Sequence, residues 1–413
     1  MAEKTPTSLS QTQRARNFIQ SFSQEDQDLA RRLIDEIHLV SYEQFTSELL
    51  NLIDNILKEE FENKECIAVY VEQKIWKPGG RIPGYFPYSL RGRAKGPNPY
   101  PVQQNKNSKR AGSEYLLAHL LASIETRYSD YLSFNLGPDQ LRGRRAREIW
   151  IVTDSIGSGD RIIQMLESFW RVATIKSWHS YKLIRFRIVS FFCSKAGEKN
   201  IKNHKTSPIV NYVMSTPTIF NSFIGRERGA IKEFCAKYAP PNSPPYGYGD
   251  VGALIAFSHG CPNNAPSLLH RASRKRRPLF QAKRTIDLAD HFAEFEQYSK
   301  LDQNTARLSR IQRLQSSILH DRHGLWLEYL LVLSCIDKGA RTSQDISGAS
   351  RLRIDHVEKI LKMSRRVGWI STGNQLTHLG RREIQRLRSR RTREPMIVND
   401  GHVWYYPTQL RGS

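Results

Sequence analysis

Apolar residues in the first 270 positions alternate between the period of a helix and that of a strand. Between residues 10 and 60 they recur every three or four positions, as at Leu29, Leu33 and Ile37, which predicts two or three amphipathic helices. Runs rich in β-branched and aromatic residues then predict strands. These runs are Cys66–Glu72, Ile149–Val152, Lys182–Cys193, Ser207–Met214 and Val251–Ser258. The pattern predicts an α/β fold, a parallel sheet with an N-terminal helical cap.

From Leu325 onward the apolar positions predict a winged helix-turn-helix domain. Three helical patterns come first, and two short strand-like runs then flank a turn at Gly373-Asn374. A fourth helical pattern closes the domain. The predicted helices are Leu325–Lys338, Ser343–Ala349, Arg353–Val367 and Leu379–Leu387. The hairpin between the last two would form the wing.

Shifts in composition divide the chain into five predicted segments. They are a helical cap (1–60), an α/β domain (61–270), a basic linker with a helical connection (271–324), the winged helix-turn-helix (325–395) and an aromatic tail (396–413). The cap could instead offer a surface to a helical partner. The tail is too aromatic for a free end, so we expect it to pack on the chain or on a partner.

One strand-turn-helix junction, IWIVTDSIGSGDRI at residues 149–162, predicts a phosphate site. Its glycines allow close approach of the backbone to a ligand, and its amides lie at the positive end of a helix dipole. The residues expected to bind substrate or phosphate here are Thr153, Asp154, Ser155, Gly157, Ser158, Gly159 and Asp160. Asp154 is also a candidate catalytic residue, placed to meet sugar hydroxyls or a metal ion. The alternative is a generic strand-turn-helix of a doubly wound sheet.

A second set of candidates precedes the helix predicted to start at Ser113. Lys109, Arg110, Gly112 and Ser113 would bring cations and backbone amides to that helix N-terminus, although Gly-Ser is also common capping chemistry. They end a long segment, residues 76–110, rich in glycine, proline, aromatic and basic residues. That segment suits a lid over an anionic substrate, a nucleic-acid contact or a solvated insertion.

The strand predicted at Val251–Ser258 leads into the sequence HGCPNN, at the sheet edge where open α/β folds bind ligands. His259 is a candidate catalytic acid or base, because its ordinary pKa lies near neutrality. Asn263 and Asn264 could bind the polar edge of a base. Asparagines beside proline are equally ordinary turn formers.

Charge points to anionic partners. The chain has 63 basic and 40 acidic residues, a formal net charge of +23, and residues 271–413 alone hold 28 basic against 14 acidic. Nucleic acid is the partner such a surface favours, with the third helix of the winged domain in the major groove. The cations expected to contact it are Arg351, Arg353, Lys359, Lys362, Arg365, Arg366, Arg381 and Arg382. Docking of a protein is the alternative.

Several classes of protein are excluded by what the sequence lacks. No window approaches the apolar length of a membrane span, and residues 1–20 contain no apolar run of signal-peptide length, so we expect a cytoplasmic protein. Five scattered cysteines without a CxxC pair predict neither a disulfide framework nor a zinc site.

The junction at residues 149–162 resembles the phosphoribosyl-diphosphate signature of type I phosphoribosyltransferases. That signature is an apolar strand, two acidic residues and a small-residue loop that ends in Thr-Gly or Ser-Gly. The resemblance implies that Asp154 meets the ribose hydroxyls and that residues 157–159 hold the 5′-phosphate. It further implies attack at the anomeric carbon with diphosphate leaving, assisted by Mg²⁺ and the Lys109-Arg110 loop. Thr153 stands where the family has its first acid.

The order of parts along the chain resembles the phosphoribosyltransferase-like proteins of bacterial conflict systems. FSQEDQDLARRLIDEIHLVSYEQF, DSIGSG, HGCPNN and a winged-helix partner domain carry that resemblance. It implies an antiphage effector of the retron type, acting with a reverse transcriptase and its RNA-DNA product. Two alternatives remain: a ligand-sensing transcriptional regulator whose transferase-like domain is inactive, and a scaffold between a polymerase and its nucleic acid.

Overall fold

A computed structural model describes residues 8–60, 65–96, 113–129, 131–274, 276–280, 300–314 and 324–387. The chain divides into two compact units, Met1–Gln297 and Tyr298–Ser413. In the described ranges, no helix has both the length and the apolar character needed to cross a membrane. All five cysteines fall within those ranges and none forms a disulfide.

The first unit is built on a parallel sheet of five strands in the order β5-β2-β6-β7-β8. The strands of the unit are β1 (His38–Val40), β2 (Ile67–Val71), β3 (Ser89–Leu90), β4 (Arg93–Ala94), β5 (Leu132–Phe134), β6 (Glu148–Ile156), β7 (Arg185–Cys193), β8 (Ile209–Ser215) and β9 (Ile255–Phe257). β2 is buried at every position, as expected for a strand with helices on both faces. The predicted parallel α/β sheet is confirmed.

Helices cover both faces of this sheet. The helices of the unit are α1 (Gln13–Gln20), α2 (Gln27–Asp35), α3 (Tyr42–Glu60), α4 (Ser113–Arg127), α5 (Pro138–Gly143), α6 (Asp160–Trp170), α7 (Ala173–Ser180), α8 (Lys195–Lys202), α9 (Ile219–Ser222), α10 (Gly225–Tyr238) and α11 (Ser267–His270). α3 and α4 share a core with Trp150 of the sheet. On α6, Phe169 contacts Tyr70 and Phe186. α6 thereby becomes a rigid support for the loop that precedes it.

The N-terminal region and the last strand differ from expectation. Apolar periodicity predicts only helices before residue 60, yet β1 lies between α2 and α3 and pairs with β9 in a separate two-stranded parallel sheet. β9 is therefore not a strand of the main sheet, and it is shorter than the run Val251–Ser258. A three-residue strand between amphipathic helices is too short to produce a period of its own, so sequence pattern does not reveal it.

The second unit contains the predicted winged-helix elements. Its helices are α12 (Lys300–Gln312), α13 (Gly324–Asp337), α14 (Ser343–Ser350), α15 (Ile354–Arg366) and α16 (His378–Arg386). The last four begin and end within one residue of the predicted bounds. Between α15 and α16 a bridge joins Ile370 to Leu376, and Asn374 lies in the turn at a φ of 53°. That hairpin is the predicted wing.

Candidate functional site

The candidate site lies where β6 ends and α6 begins. β6 is buried up to Thr153, after which Asp154 is partly exposed. Gly159 adopts a φ of +86°, which favours glycine, and a Cβ there would lie 3.0 Å from the Gly197 carbonyl. Among the described residues, no acceptor pairs with the amides of residues 157–159. These amides are available to an anion.

Neighbouring segments hold the loop of residues 157–159 in place. Ser194 donates from its hydroxyl to the Gly157 carbonyl at 2.5 Å, and Asn200 donates to the Ser158 carbonyl at 3.1 Å. On the opposite side the Asn264 side chain lies so close to Gly157 that a methyl group there would overlap its amide nitrogen. The loop is therefore fixed before any ligand arrives.

The Ser158 hydroxyl has a partner within the loop. It donates to the Asp160 carboxylate at 2.8 Å, and the Asp160 amide donates back to the hydroxyl at 3.3 Å. The expected hydroxyl contact with an anion would require this bond to break. Asp160 is the first residue of α6, where a carboxylate is stabilised by the helix dipole but also repels an incoming phosphate.

The two predicted catalytic residues lie together. His259 Nε2 is 3.4 Å from Asp154 Oδ2, and the side chains are 6% and 18% exposed. The imidazole stacks on Phe257 with ring centroids 4.7 Å apart, and it meets the edge of Phe45 at 5.2 Å. Packing against two rings fixes the imidazole, which in turn orients the Asp154 carboxylate.

An acid that sequence analysis missed lies beside Thr153. Glu72 follows β2 directly, and its amide donates to the Val152 carbonyl, so it stands across from Thr153. The buried Thr153 hydroxyl donates to Glu72 Oε2 at 3.0 Å. The acid absent from position 153 is thus present on the adjacent strand. The available signal was an acidic residue at the carboxyl end of a buried strand.

Glu72 is held by a cation that sequence analysis also missed. Arg161, in the first turn of α6, pairs with Glu72 at 2.5 Å and with Glu114 of α4 at 2.6 Å. Burial raises the pKa of Glu72 to about 7, and the charge of Arg161 opposes part of that rise. The start of α4 is thereby tied to the start of α6.

Of the remaining residues predicted to bind substrate, some lie at the loop and others do not. The Ser155 hydroxyl lies 3.4 Å from Asp154, and the buried Asn264 packs against the loop. Asn263 is exposed, and its carbonyl accepts a hydrogen bond from the Tyr248 amide at 2.9 Å. Ser113 is the first residue of α4. Lys109, Arg110 and Gly112 lie outside the described residues.

A magnesium ion would need ligands beyond the protein at this site. Within the described ranges, no three His, Cys, Asp or Glu side chains are grouped to hold a metal. Asp154 offers one partly exposed carboxylate, so the diphosphate of a substrate would have to supply the other oxygens. Participation of Mg²⁺ remains a prediction.

The predicted nucleic-acid residues of the winged domain fall into two groups. Six are exposed, Arg365 among them, and five of these six make no side-chain hydrogen bond or ion pair with the described residues: Lys359, Lys362, Arg366, Arg381 and Arg382. The other three are engaged locally: Arg353 pairs through two nitrogens with Asp355, Arg365 donates to Asn374 at 2.8 Å, and Arg351 donates to the Gly348 carbonyl. The first five are the cations most accessible to phosphates.

Comparison with known proteins agrees with this architecture. The family described as PRTase-CE matches residues 15–281, more than half of the chain, and the family described as wHTH-PRTase associated matches residues 330–412. No curated protein matches the sequence.

Among solved structures, the chain is similar to the Helicobacter pylori xanthine-guanine-hypoxanthine phosphoribosyltransferase, with 13% identity over 42% of this chain and 89% of that one. The TM-score of 0.20 is too low to support an argument. The family matches do not depend on it. The chain belongs to the PRTase-CE family and carries, after its phosphoribosyltransferase-like domain, a winged helix-turn-helix domain of the associated kind.

Proposed function

We propose that the phosphoribosyltransferase-like domain binds a 5′-phosphorylated ribose, either phosphoribosyl diphosphate or a nucleotide. The observation that carries this proposal is the fixed loop of residues 157–159, whose amides lack acceptors among the described residues. In this arrangement the loop holds the phosphate and Asp154, oriented by His259, meets the ribose hydroxyls. We expect Asn264, which packs against Gly157, to contact this ligand as well.

The proposed chemistry is displacement at the anomeric carbon. An acceptor nucleophile would form a bond to that carbon as the bond to diphosphate breaks, and the acceptor's proton would pass to Asp154. Mg²⁺ would enter with the diphosphate and neutralise its charge. Glu72 supports this proposal because it supplies an acid beside Thr153, in place of the one absent from β6.

The winged domain is proposed to bind duplex DNA or an RNA-DNA hybrid. Its exposed cations suit phosphate contacts, which position a protein on nucleic acid without selecting a sequence. The order of domains supports a role as a cytoplasmic antiphage effector of the retron type, with a reverse transcriptase as partner. Co-purification with the product of a neighbouring reverse-transcriptase gene would test that role, and its absence from the complex would contradict it.

A ligand-sensing regulator is the second candidate. Thr153 favours it, because a threonine in place of the first acid is what a domain that binds without reacting would tolerate. Such a protein would leave phosphoribosyl diphosphate intact and would prefer one DNA sequence over random duplexes.

Phosphorus NMR tests the binding and separates the candidates. Purified protein is mixed with Mg²⁺ and phosphoribosyl diphosphate, and bases and nucleosides are added in turn. Diphosphate release that Asp154→Ala removes identifies a transferase, whereas broadened but unconverted signals identify the sensor. Unchanged signals would refute binding at the loop. Asp28→Ala, at an exposed position of α2, is the control of equal charge.

A further inference from the structure

A second cationic surface lies on the first unit, in the segment between β2 and α4. Residues 73–96 contain six basic residues and no acidic one. The basic residues are Lys74, Lys77, Arg81, Arg91, Arg93 and Lys95, and all six are exposed. We call these six residues, with Trp76 and Tyr88, the hairpin face. A net charge of this size on so short a segment attracts polyanions.

Two aromatic rings of the hairpin face are open to solvent. The Trp76 side chain is 77% exposed and Tyr88 is 65% exposed. Large exposed rings leave apolar area in water at a cost, unless a partner covers them. Rings interleaved with cations match the unpaired bases and phosphates of a single strand, since every base has a face that can stack.

Contacts with α6 and α7 hold this segment in place, so the hairpin face has a defined conformation. Tyr85 stacks on Phe169 of α6 with ring centroids 4.0 Å apart, and its amide donates to the Ser168 carbonyl at 2.9 Å. The Ala94 amide donates to the Thr174 hydroxyl of α7 at 2.8 Å. These contacts bury Tyr85 and Ala94, whereas the six cations and the two rings stay exposed.

A cleft opens beside the β3-β4 hairpin. Its volume is about 540 Å³, and its lining includes Arg93, Arg142, Thr174, Ser177 and Trp178. The Arg142 guanidinium lies 5.5 Å from the centre of the Trp178 ring. Arg142 also pairs with Asp139 at 2.9 Å and donates to the Ala94 carbonyl at 3.2 Å. A cleft of this volume accommodates a nucleotide, with the exposed Arg93 for its phosphate and the Ser177 hydroxyl for its base edge.

This cleft is separate from the loop of residues 157–159. The loop precedes the N-terminus of α6, whereas α7, which lines the cleft, follows its C-terminus. An eleven-residue helix spans about 15 Å, so one nucleotide does not fill both sites.

We propose that the hairpin face binds single-stranded nucleic acid, with the backbone along its cations, bases stacked on Trp76 and Tyr88, and one nucleotide in the cleft. A duplex keeps its bases stacked inside and offers nothing to the two rings. This surface is separate from the phosphoribosyl site and would add a nucleic-acid contact to the one proposed for the winged domain.

Fluorescence polarisation of the full chain with labelled single-stranded RNA, single-stranded DNA and duplex DNA tests the proposal. Lys77→Ala/Arg91→Ala/Arg93→Ala removes three cations, and we expect the salt dependence of single-strand affinity to fall by about 2 on a log-log scale. Trp76→Ala/Tyr88→Ala should weaken single-strand binding at least about 30-fold and leave the salt dependence unchanged. Duplex affinity should stay within about two-fold of the unmodified chain in both variants.

The control variant Arg16→Ala/Lys58→Ala/Arg226→Ala removes equal charge at exposed positions away from this face. Equal losses in the control and the hairpin variants would overturn the proposal, because net charge alone would then explain them. Unchanged single-strand affinity in both hairpin variants would also overturn it. So would equal binding to vesicles of phosphatidylglycerol that depends on the same residues, since the face would then be a general anion surface.

Discussion

The loop of residues 157–159 and the exposed face of α15 and α16 both suit phosphate, but they are built in opposite ways. The loop offers main-chain amides, and its glycines are in contact with Asn264 and Gly197, which leave no space for a side chain. The winged domain offers five side chains that extend into solvent. Neighbouring residues hold the loop in place, whereas no described residue holds the five cations.

This difference predicts how binding at each site should respond to substitution. A site of backbone groups depends on the position of every atom, so a single methyl group can remove it. A site of exposed cations gains a similar increment from each charge, so it weakens in steps. The hairpin face, with its rings on an anchored segment, lies between these extremes.

The largest expected effect comes from Gly157→Ala. Gly157 does not have a positive φ, so alanine is compatible with the backbone, and the three described atoms nearest to the added methyl group all belong to the Asn264 side chain. Displacement of the loop should lower affinity for phosphoribosyl diphosphate at least about 100-fold, and the overpacking should cost about 2 kcal/mol of stability. Calorimetry of binding and chemical unfolding measure the two.

The double variant Gly157→Ala/Asn264→Ala controls for this explanation. Removal of the Asn264 amide frees the space that the methyl group needs, so stability and part of the affinity should return relative to Gly157→Ala. Asn264→Ala alone gives the baseline. If the double variant is as weak as the sum of the two single changes, the steric account is wrong.

The next effect concerns Glu72, the acid beside the loop. Its pKa is raised from 4.5 to about 7 because the carboxyl is buried, so the folded state binds more protons than the unfolded state between these values. The free energy of unfolding should therefore fall as pH rises from about 4.5 to about 7, by up to about 3 kcal/mol relative to Glu72→Gln. Denaturant unfolding of both proteins at pH 5 and pH 8 measures the difference.

Comparison with Glu72→Gln cancels the contributions of other titrating groups to the pH dependence of stability. Burial lowers the pKa of His270 to about 4, which makes the chain more stable as pH rises from about 4 to 6.5, opposite in sign to Glu72. The pKa of Asp26 is about 2, below the window. Both act equally in the two proteins. Parallel pH profiles for the chain and Glu72→Gln would mean that Glu72 is ionised throughout.

Glu72 also marks the limit of what the sequence could predict. The β6-loop-α6 junction and the winged helices follow from local apolar periods and turn residues, which need no knowledge of neighbours. That β2 lies next to β6, and that β9 leaves the sheet for β1, depends on pairings between residues far apart in the chain. Asp154 and His259 are therefore predictable from the sequence as site candidates, whereas Glu72 and Arg161, which flank them, are not.

Removal of cations from the winged domain should have a smaller effect on affinity than Gly157→Ala has on the loop. Lys359→Ala/Lys362→Ala/Arg366→Ala removes three exposed cations of α15, and the log-log salt dependence of duplex affinity should fall by about 2.7. Titrations from low to physiological salt measure it, with Arg16→Ala/Lys58→Ala/Arg226→Ala as the control of equal charge. An unchanged slope would favour protein docking as the role of this face.

The smallest expected effect separates two cations, Lys362 and Arg353, that the sequence predicts to contact nucleic acid alike. Lys362 is exposed, whereas Arg353 pairs with Asp355 through nitrogens at 3.0 and 3.2 Å. Lys362→Ala should lower the salt slope by about 1. Arg353→Ala should change it less, because a phosphate must first displace the carboxylate, and the freed Asp355 then repels the backbone. If Arg353→Ala lowers the slope as much as Lys362→Ala, the ion pair opens on binding and the paired arginine contributes as fully as the exposed lysine.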